Sequence, residues 1–287
     1  MSLDADSGPP EEAWPPVILT VAPNGARKTK ADHPALPMTP QEIASCAAAC
    51  AEAGAAMIHL HVRDRDGRHT LDAETYRAAI AAVRGALGEG IVIQVTSESV
   101  GLYGPEEQMA MVRELRPEAV SLAVRELVPD AARETTAAAF FAWMRDESLL
   151  PQFIVYDAED LARLDDLTAR GIVPPGRHFV LFVLGRYTPG QRSQPADLLP
   201  FLNANAAGRP WALCAFGPRE AACAAAAAAF GGHARVGFEN NLYMPDGSIA
   251  PDNAALIATA ATNARLIGRP LADAATAREL LVSYGWS

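Results

Sequence analysis

The sequence predicts an α/β fold, a single (β/α)8 TIM barrel of parallel strands. Short β-branched or apolar runs alternate with longer Ala-rich segments of helical period along the chain, the pattern of parallel βαβ units. The alternation repeats eight times, with helical material left over (273–281) to close the ring. The length of 287 residues, half of them hydrophobic, suits a parallel barrel, which commonly runs to about 250 residues as one domain. Residues 1–16, polar and carrying Pro9-Pro10 and Pro15-Pro16, read as a flexible lead-in, and 17–287 as the barrel.

The expected strands are 17–21, 57–62, 91–96, 119–122, 153–155, 179–184, 211–215 and 235–238, each followed by a helix. Thr39-Pro40-Gln41-Glu42 supplies an N-cap, a proline at the first helical position and an acid in the first turn. Further helix starts fall at Asp72, Pro105, Glu159, Pro195, Pro218 and Asp252. The first β/α connection, 22–38, is long and polar, unlike the Gly-rich turn that opens a doubly wound dinucleotide fold.

A net charge of -10, with Arg27-Lys28-Thr29-Lys30 as the sole basic run, argues against nucleic acid or an anionic membrane and for a small ligand. No apolar stretch approaches the roughly 18 residues of a membrane span. Cys46, Cys50, Cys214 and Cys223 lie in apolar helix- or strand-like segments without metal-site spacing, so free thiols in a reducing cytoplasm are expected.

In a barrel the reactive groups sit at the C-terminal ends of the strands, above a packed interior. The run 57–64 (MIHLHVRD) is the most informative there. Side chains alternate along a strand, so Ile58, Leu60 and Val62 suit the helix-facing side, and His59 and His61 then point inward together. A bare H-x-H also fits a histidine bonded to a core carbonyl. A third ligand weighs against that reading: Glu239 follows the last strand, and the second and eighth strands of a closed barrel both flank the first. Two His and one carboxylate leave coordination positions open, as a catalytic zinc site requires, although Fe(II), Mn(II) and Co(II) accept the same donors. A salt bridge from Glu239 to Arg235, four residues earlier, is the competing structural role.

These residues bring in a family resemblance. The chain resembles the β-keto acid cleavage enzymes in 18–26 (ILTVAPNGA), 36–40 (LPMTP), 53–55 (AGA), 59–63 (HLHVR), 182–185 (FVLG), 231–233 (GGH), 235–239 (RVGFE) and 267–271 (IGRPL). The resemblance implies a zinc-dependent barrel, one ion per chain held by His59, His61 and Glu239. It implies conversion of a β-keto acid plus acetyl-CoA into acetoacetate plus a new acyl-CoA, and a homotetramer. Arg235 matches an arginine near the reacting centre, and Thr96 and Ser121 match hydroxyls that contact substrate.

Two positions depart from the family. Asn240 stands where an Asp proposed to take the substrate proton is found, and an amide is no base. Asp64, Glu98, Glu126, Asp157 or a metal-bound hydroxide are the substitutes. Asn24 and Arg27 are expected to bind substrate, and Arg27 replaces an acidic residue of the lysine-fermenting branch, which implies an anionic or polar substrate tail. Arg186, Arg192 and Arg219, on the loops after strands six and seven, are candidates for CoA phosphates. His33, His69, His178 and His233 lack a strong partner pattern, and His233, just before strand eight at the stability end of the barrel, reads as structural. Two other functions fit the same residues: a CoA-independent metal-dependent aldolase, hydrolase or decarboxylase, and a metal-containing keto-acid binding protein.

Overall fold

The computed structural model describes residues 14–286. Eight parallel strands close into a barrel, and ten helices accompany them among the described residues. The barrel strands are β1 (Leu19–Val21), β2 (Met57–Leu60), β5 (Val92–Thr96), β6 (Ala119–Leu122), β7 (Leu150–Val155), β8 (Val180–Leu184), β9 (Trp211–Ala215) and β10 (His233–Val236). β1 pairs with both β10 and β2, so the first, second and last strands are neighbours. The predicted lead-in lies outside the described residues as far as residue 13. Its last part is held: the Arg269 Nε donates to Pro15 O at 2.9 Å, and the same guanidinium stands over the Trp14 ring.

Several strands differ in their bounds from the sequence reading: the first opens at Leu19, two residues later than expected, the fifth at Leu150, three residues earlier, and the second and eighth change at the mouth and at the floor. The second stops at Leu60, because the Asn24 amide takes the His61 carbonyl at 3.2 Å. The chain then leaves the barrel as a small antiparallel pair, β3 (Val62–Arg63) with β4 (His69–Thr70). The eighth opens two residues earlier than expected, at His233, and turns away at Gly237, where φ is +143° and a Cβ would stand 2.4 Å from Ala22 O.

The helices pack outside, and their apolar faces cover the strands in one large core. The first helix, α1 (Pro40–Ala53), begins with the predicted capping box: Thr39 Oγ1 accepts from Glu42 N and Glu42 Oε2 accepts from Thr39 N. Asp72, Asp157, Asp252 and Asp273 accept a backbone N–H in the first turn of the helices Ala73–Leu87, Ala158–Ala169, Asn253–Leu266 and Ala274–Ser283. Inside the barrel a second, smaller cluster including Ile18, Met57, Val92, Ala119, Leu181 and Ala212 forms an apolar floor. Above it the strand registers align His59 with Gln94 and Thr96 with Ser121, so the inward positions become polar toward the C-terminal mouth.

Candidate active site

His59 lies near the end of β2, His61 follows at its break, and Glu239 sits just past β10. The two imidazole Nε2 atoms are 3.1 Å apart, and each is 3.6 Å from Glu239 Oε2. Tetrahedral bonds of about 2.0–2.1 Å to one ion would separate neighbouring ligand atoms by roughly 3.3 Å, so the triangle has the dimensions of a metal-binding set. Glu239 Oε2 is buried without a hydrogen-bond partner, and its other oxygen accepts from Arg235 Nη2 at 3.1 Å. One oxygen of Glu239 is thus anchored and the other points to the histidines. The Arg235 ion pair and the ligand role coexist.

The His59 Nδ1–H donates to Gln94 Oε1 at 2.8 Å, and Gln94 Nε2 donates to Gln152 Oε1 at 3.1 Å. This relay fixes the tautomer that presents the Nε2 lone pair to the site. Burial, then Arg235, push the His59 pKa down to about 4 against the pull of Glu239. Burial and the neighbouring His59 hold His61 well below its ordinary value. Both imidazoles are therefore neutral near pH 7, as ligands must be. Burial works to protonate Glu239, but Arg235, His59, Lys28 and Arg186 together outweigh it and keep the carboxyl below its usual range.

The loop after β1 closes over this cluster. Arg63 donates to Ala26 O at 2.6 Å and to Lys28 O at 3.0 Å. Gly25 has φ +60°, and a Cβ there would lie 2.6 Å from Glu239 Cγ, so only glycine lets the loop rest on the ligand. Lys28 Nζ donates to Glu239 O at 2.6 Å. Asn24 is buried, donating to Pro37 O and His61 O with its own Oδ1 unpartnered.

A cavity of about 290 Å³ opens here, lined by residues that include Asn24, Arg27, Lys28, Glu98, Arg186 and Glu239. A narrower recess continues below it past His59, Thr96, Tyr156 and Arg235. A larger cavity of about 480 Å³ lies outside the barrel mouth between the first loop and α1, and none of the three cluster residues lines it.

Of the remaining predicted residues, Arg235 and Thr96 line the recess, and the Arg235 Nε is buried without a partner. Arg27 is exposed at the rim. Ser121 stands beside Thr96 in register, with 3.5 Å between their hydroxyl oxygens, and lines neither cavity. Asn240 lines neither cavity: its Nδ2 donates to Glu220 Oε1 at 3.3 Å, its Oδ1 accepts from Arg235 Nη2 at 3.5 Å, and burial raises Glu220 to about 8. Among the four candidate carboxylates, Glu98 lines the cavity, 3.9 Å from His61 Nε2. Asp64, Glu126 and Asp157 are engaged in loop and helix-cap hydrogen bonds instead. Arg192 and Arg219 line a separate cavity of about 420 Å³ beside it.

Gln94, Arg63 and Lys28 were not singled out for these roles from the sequence. A glutamine at an inward position of an otherwise β-branched strand was the available signal for Gln94. His33, His69, His178 and His233 bond to Ala250 O, Glu98 O, Pro174 O and the Ile18 N–H, consistent with structural roles.

Fold and site together define a (β/α)8-barrel with a two-histidine, one-carboxylate cluster at its C-terminal mouth. Residues 16–282 match the family described as beta-keto acid cleavage enzyme, and the chain belongs to that family. It is 33% identical over 273 residues to the 3-keto-5-aminohexanoate cleavage enzyme of Fusobacterium nucleatum, covering 92% of this chain and 97% of that one. It is 28% identical to the 3-oxoadipate:acetyl-CoA acetyltransferase of Cupriavidus necator, over 93% of this chain and 94% of that one. Among solved structures it is similar to apo ObcA, with a TM-score of 0.69 and 16% identity, covering 86% of this chain. The chain spans 65% of the length of ObcA, and the likeness shows the fold. The family and the curated relatives are those of enzymes that cleave β-keto acids or transfer groups with acetyl-CoA. No helix among the described residues is long and apolar enough to cross a membrane.

Proposed function

We propose that this chain is a zinc-dependent β-keto acid cleavage enzyme that converts a β-keto acid and acetyl-CoA into acetoacetate and a new acyl-CoA. The observation that carries the proposal is the His59–His61–Glu239 triangle, with the free Oε2 of Glu239 turned toward both imidazoles. His59, His61 and Glu239 would hold a divalent ion there, and it would supply Lewis acidity to the bound keto acid.

The chain's own residues do the rest. Glu98, the carboxylate of the candidate set that faces the cavity, takes the proton from the carbon between the two carbonyls. The unpartnered Arg235 Nε–H and the Thr96 hydroxyl face the recess, where they stabilise the negative charge left by that proton. The new carbon nucleophile bonds to the acetyl carbonyl carbon and CoA thiolate leaves. The thiolate then adds to the original keto carbon, the bond from that carbon to the nucleophilic carbon breaks, and acetoacetate departs with the proton returned from Glu98. A second reading, cleavage or decarboxylation of the keto acid without CoA, is favoured by one observation: Asn240 is engaged with Glu220 and offers no base.

Elemental analysis of the wild type and His59→Ala, paired with an acetoacetate assay on β-keto acids plus acetyl-CoA, tests the proposal. Stoichiometric zinc and CoA-dependent acetoacetate formation are expected in the wild type, and loss of both in the variant. Product formed equally well without acetyl-CoA would establish the second reading. Metal-free wild type would overturn both.

A further inference from the structure

We infer that Lys28 and Arg186 hold a second carboxylate of the substrate, so that the natural keto acid is a diacid. The inference rests on the β-keto acid reading and assigns the chemistry of the substrate's far end.

The argument is one of unmatched charge. Three acids line the 290 Å³ cavity, and each has partners. Asp32 Oδ2 accepts from the Thr29 backbone and hydroxyl, Glu98 pairs with Arg186 at 3.4 Å, and Glu239 pairs with Arg235 and faces the histidines. Lys28 is different. Its Nζ donates to one backbone oxygen, that of Glu239, and no carboxylate among the described residues forms an ion pair with it. An ammonium has three donors, and two remain for a ligand. A cation removed from water without a counter-charge is costly unless something supplies one.

Arg186 completes the anion site. It stands over the Phe216 ring at 5.2 Å, and its single long contact with Glu98 leaves other guanidinium donors unassigned. The site is built in advance: Arg63 holds the carbonyls on either side of Arg27, and Gly25 lets the loop rest on Glu239. An ammonium-tailed substrate would meet Arg27, Lys28 and Arg186 together, and a neutral tail would leave Lys28 unpaired. A carboxylate tail satisfies both cations, and the positive rim attracts it although the chain as a whole carries -10.

CoA phosphates are the other anions present in the reaction, and the experiment separates the two. kcat/KM is measured with acetyl-CoA on 3-oxoadipate, 3-oxohexanoate and 3-keto-5-aminohexanoate for the wild type, Lys28→Met and Lys28→Arg. Calorimetric binding of glutarate and butyrate gives a readout independent of turnover. The wild type is expected to prefer the diacid. Lys28→Met should lower the diacid-to-neutral ratio by about tenfold or more, as removal of a charge-assisted hydrogen bond does. It should weaken glutarate but not butyrate, and Lys28→Arg should restore most of both effects. Arg186→Gln serves the same test if Lys28→Met does not fold. An unchanged ratio overturns the inference, as does an effect confined to the KM for acetyl-CoA. Lys28-dependent glutarate binding without any CoA-dependent turnover would sustain the diacid site while removing the reaction proposed above.

Discussion

The two ends of the barrel use the same residue types in opposite ways. At the N-terminal floor, His233 Nδ1 accepts from the Ile18 N–H at 2.9 Å and its Nε2 lies 3.2 Å from the Tyr284 hydroxyl. Arg269, almost wholly buried, donates to the carbonyls of Pro15, Ala228, Gly231 and Gly232. At the mouth, His61 Nδ1, Arg235 Nε, Asn24 Oδ1 and Glu239 Oε2 are all buried without partners. Buried polar atoms are ordinarily satisfied, and at the floor His178 Nδ1 is the exception among the described residues, so the floor is close to what stability alone produces. The mouth keeps its polar groups open for something that arrives from outside, and the fold bears the cost there because the floor and the helical layer are so fully packed.

The largest break in this comparison should come from the floor. Replacing Arg269 with Ala removes its hydrogen bonds to four carbonyls, of which Ala228 O keeps the Gly231 N–H, and opens a void beside the last helices. The expected loss is about 3–5 kcal/mol of unfolding free energy. Chemical denaturation measures it, and metal content of the surviving folded protein should be unchanged. A loss under about 1 kcal/mol would mean the floor is not what stabilises the barrel.

A smaller effect is expected where the two regimes meet, at Asn240. Its amide donates to Glu220, a carboxyl that burial raises to about 8. Asn240→Asp sets a second acid against the first, and two carboxylates so close cannot both ionise cheaply. A raised folded pKa gives stability that is full below the unfolded value near 4.3 and is lost as pH rises through the folded one. The variant should therefore be destabilised by about 2 kcal/mol at pH 8 and by less at pH 5. Equal losses at both pH values would show that the introduced carboxylate and Glu220 do not interact. A larger loss at pH 8 than at pH 5 would explain why the acid expected from the family resemblance does not suit this chain as it stands.

Much of this was legible in the sequence, for reasons that differ by residue. The eight strands and the His59–His61 pair follow from the two-residue alternation, and Glu239 from the closure that puts the last strand beside the first. Which inward side chains reach the cavity is not encoded in that alternation. Ser121 is expected to touch substrate, yet it stands beside Thr96 in register with its hydroxyl 3.5 Å from that of Thr96, and it lines neither cavity. The roles of Gln94 and Arg63 arise from contacts 35 to 58 residues away in the chain, between elements whose approach no local pattern specifies. Lys28 sits beside Arg27 in the one basic run, but only the folded loop shows that Lys28 is half-buried and Arg27 exposed.

That last distinction yields the smallest expected effect and the finest test of the comparison. Arg27 is exposed at the rim, where solvent and salt screen it, whereas Lys28 lies beneath the loop against Glu239. An exposed charge contributes little at a distance beyond the Debye length of about 8 Å at physiological salt. Arg27→Glu should lower kcat/KM for a keto diacid by about two- to fivefold, mainly through KM, without reversing the preference for the diacid over the ammonium-tailed substrate. The deficit should shrink in about 0.5 M salt, as a steering effect does and a buried contact does not. If Arg27→Glu instead inverts the ranking and the inversion persists in salt, specificity is set at the rim, and the open donors beneath the loop serve another ligand.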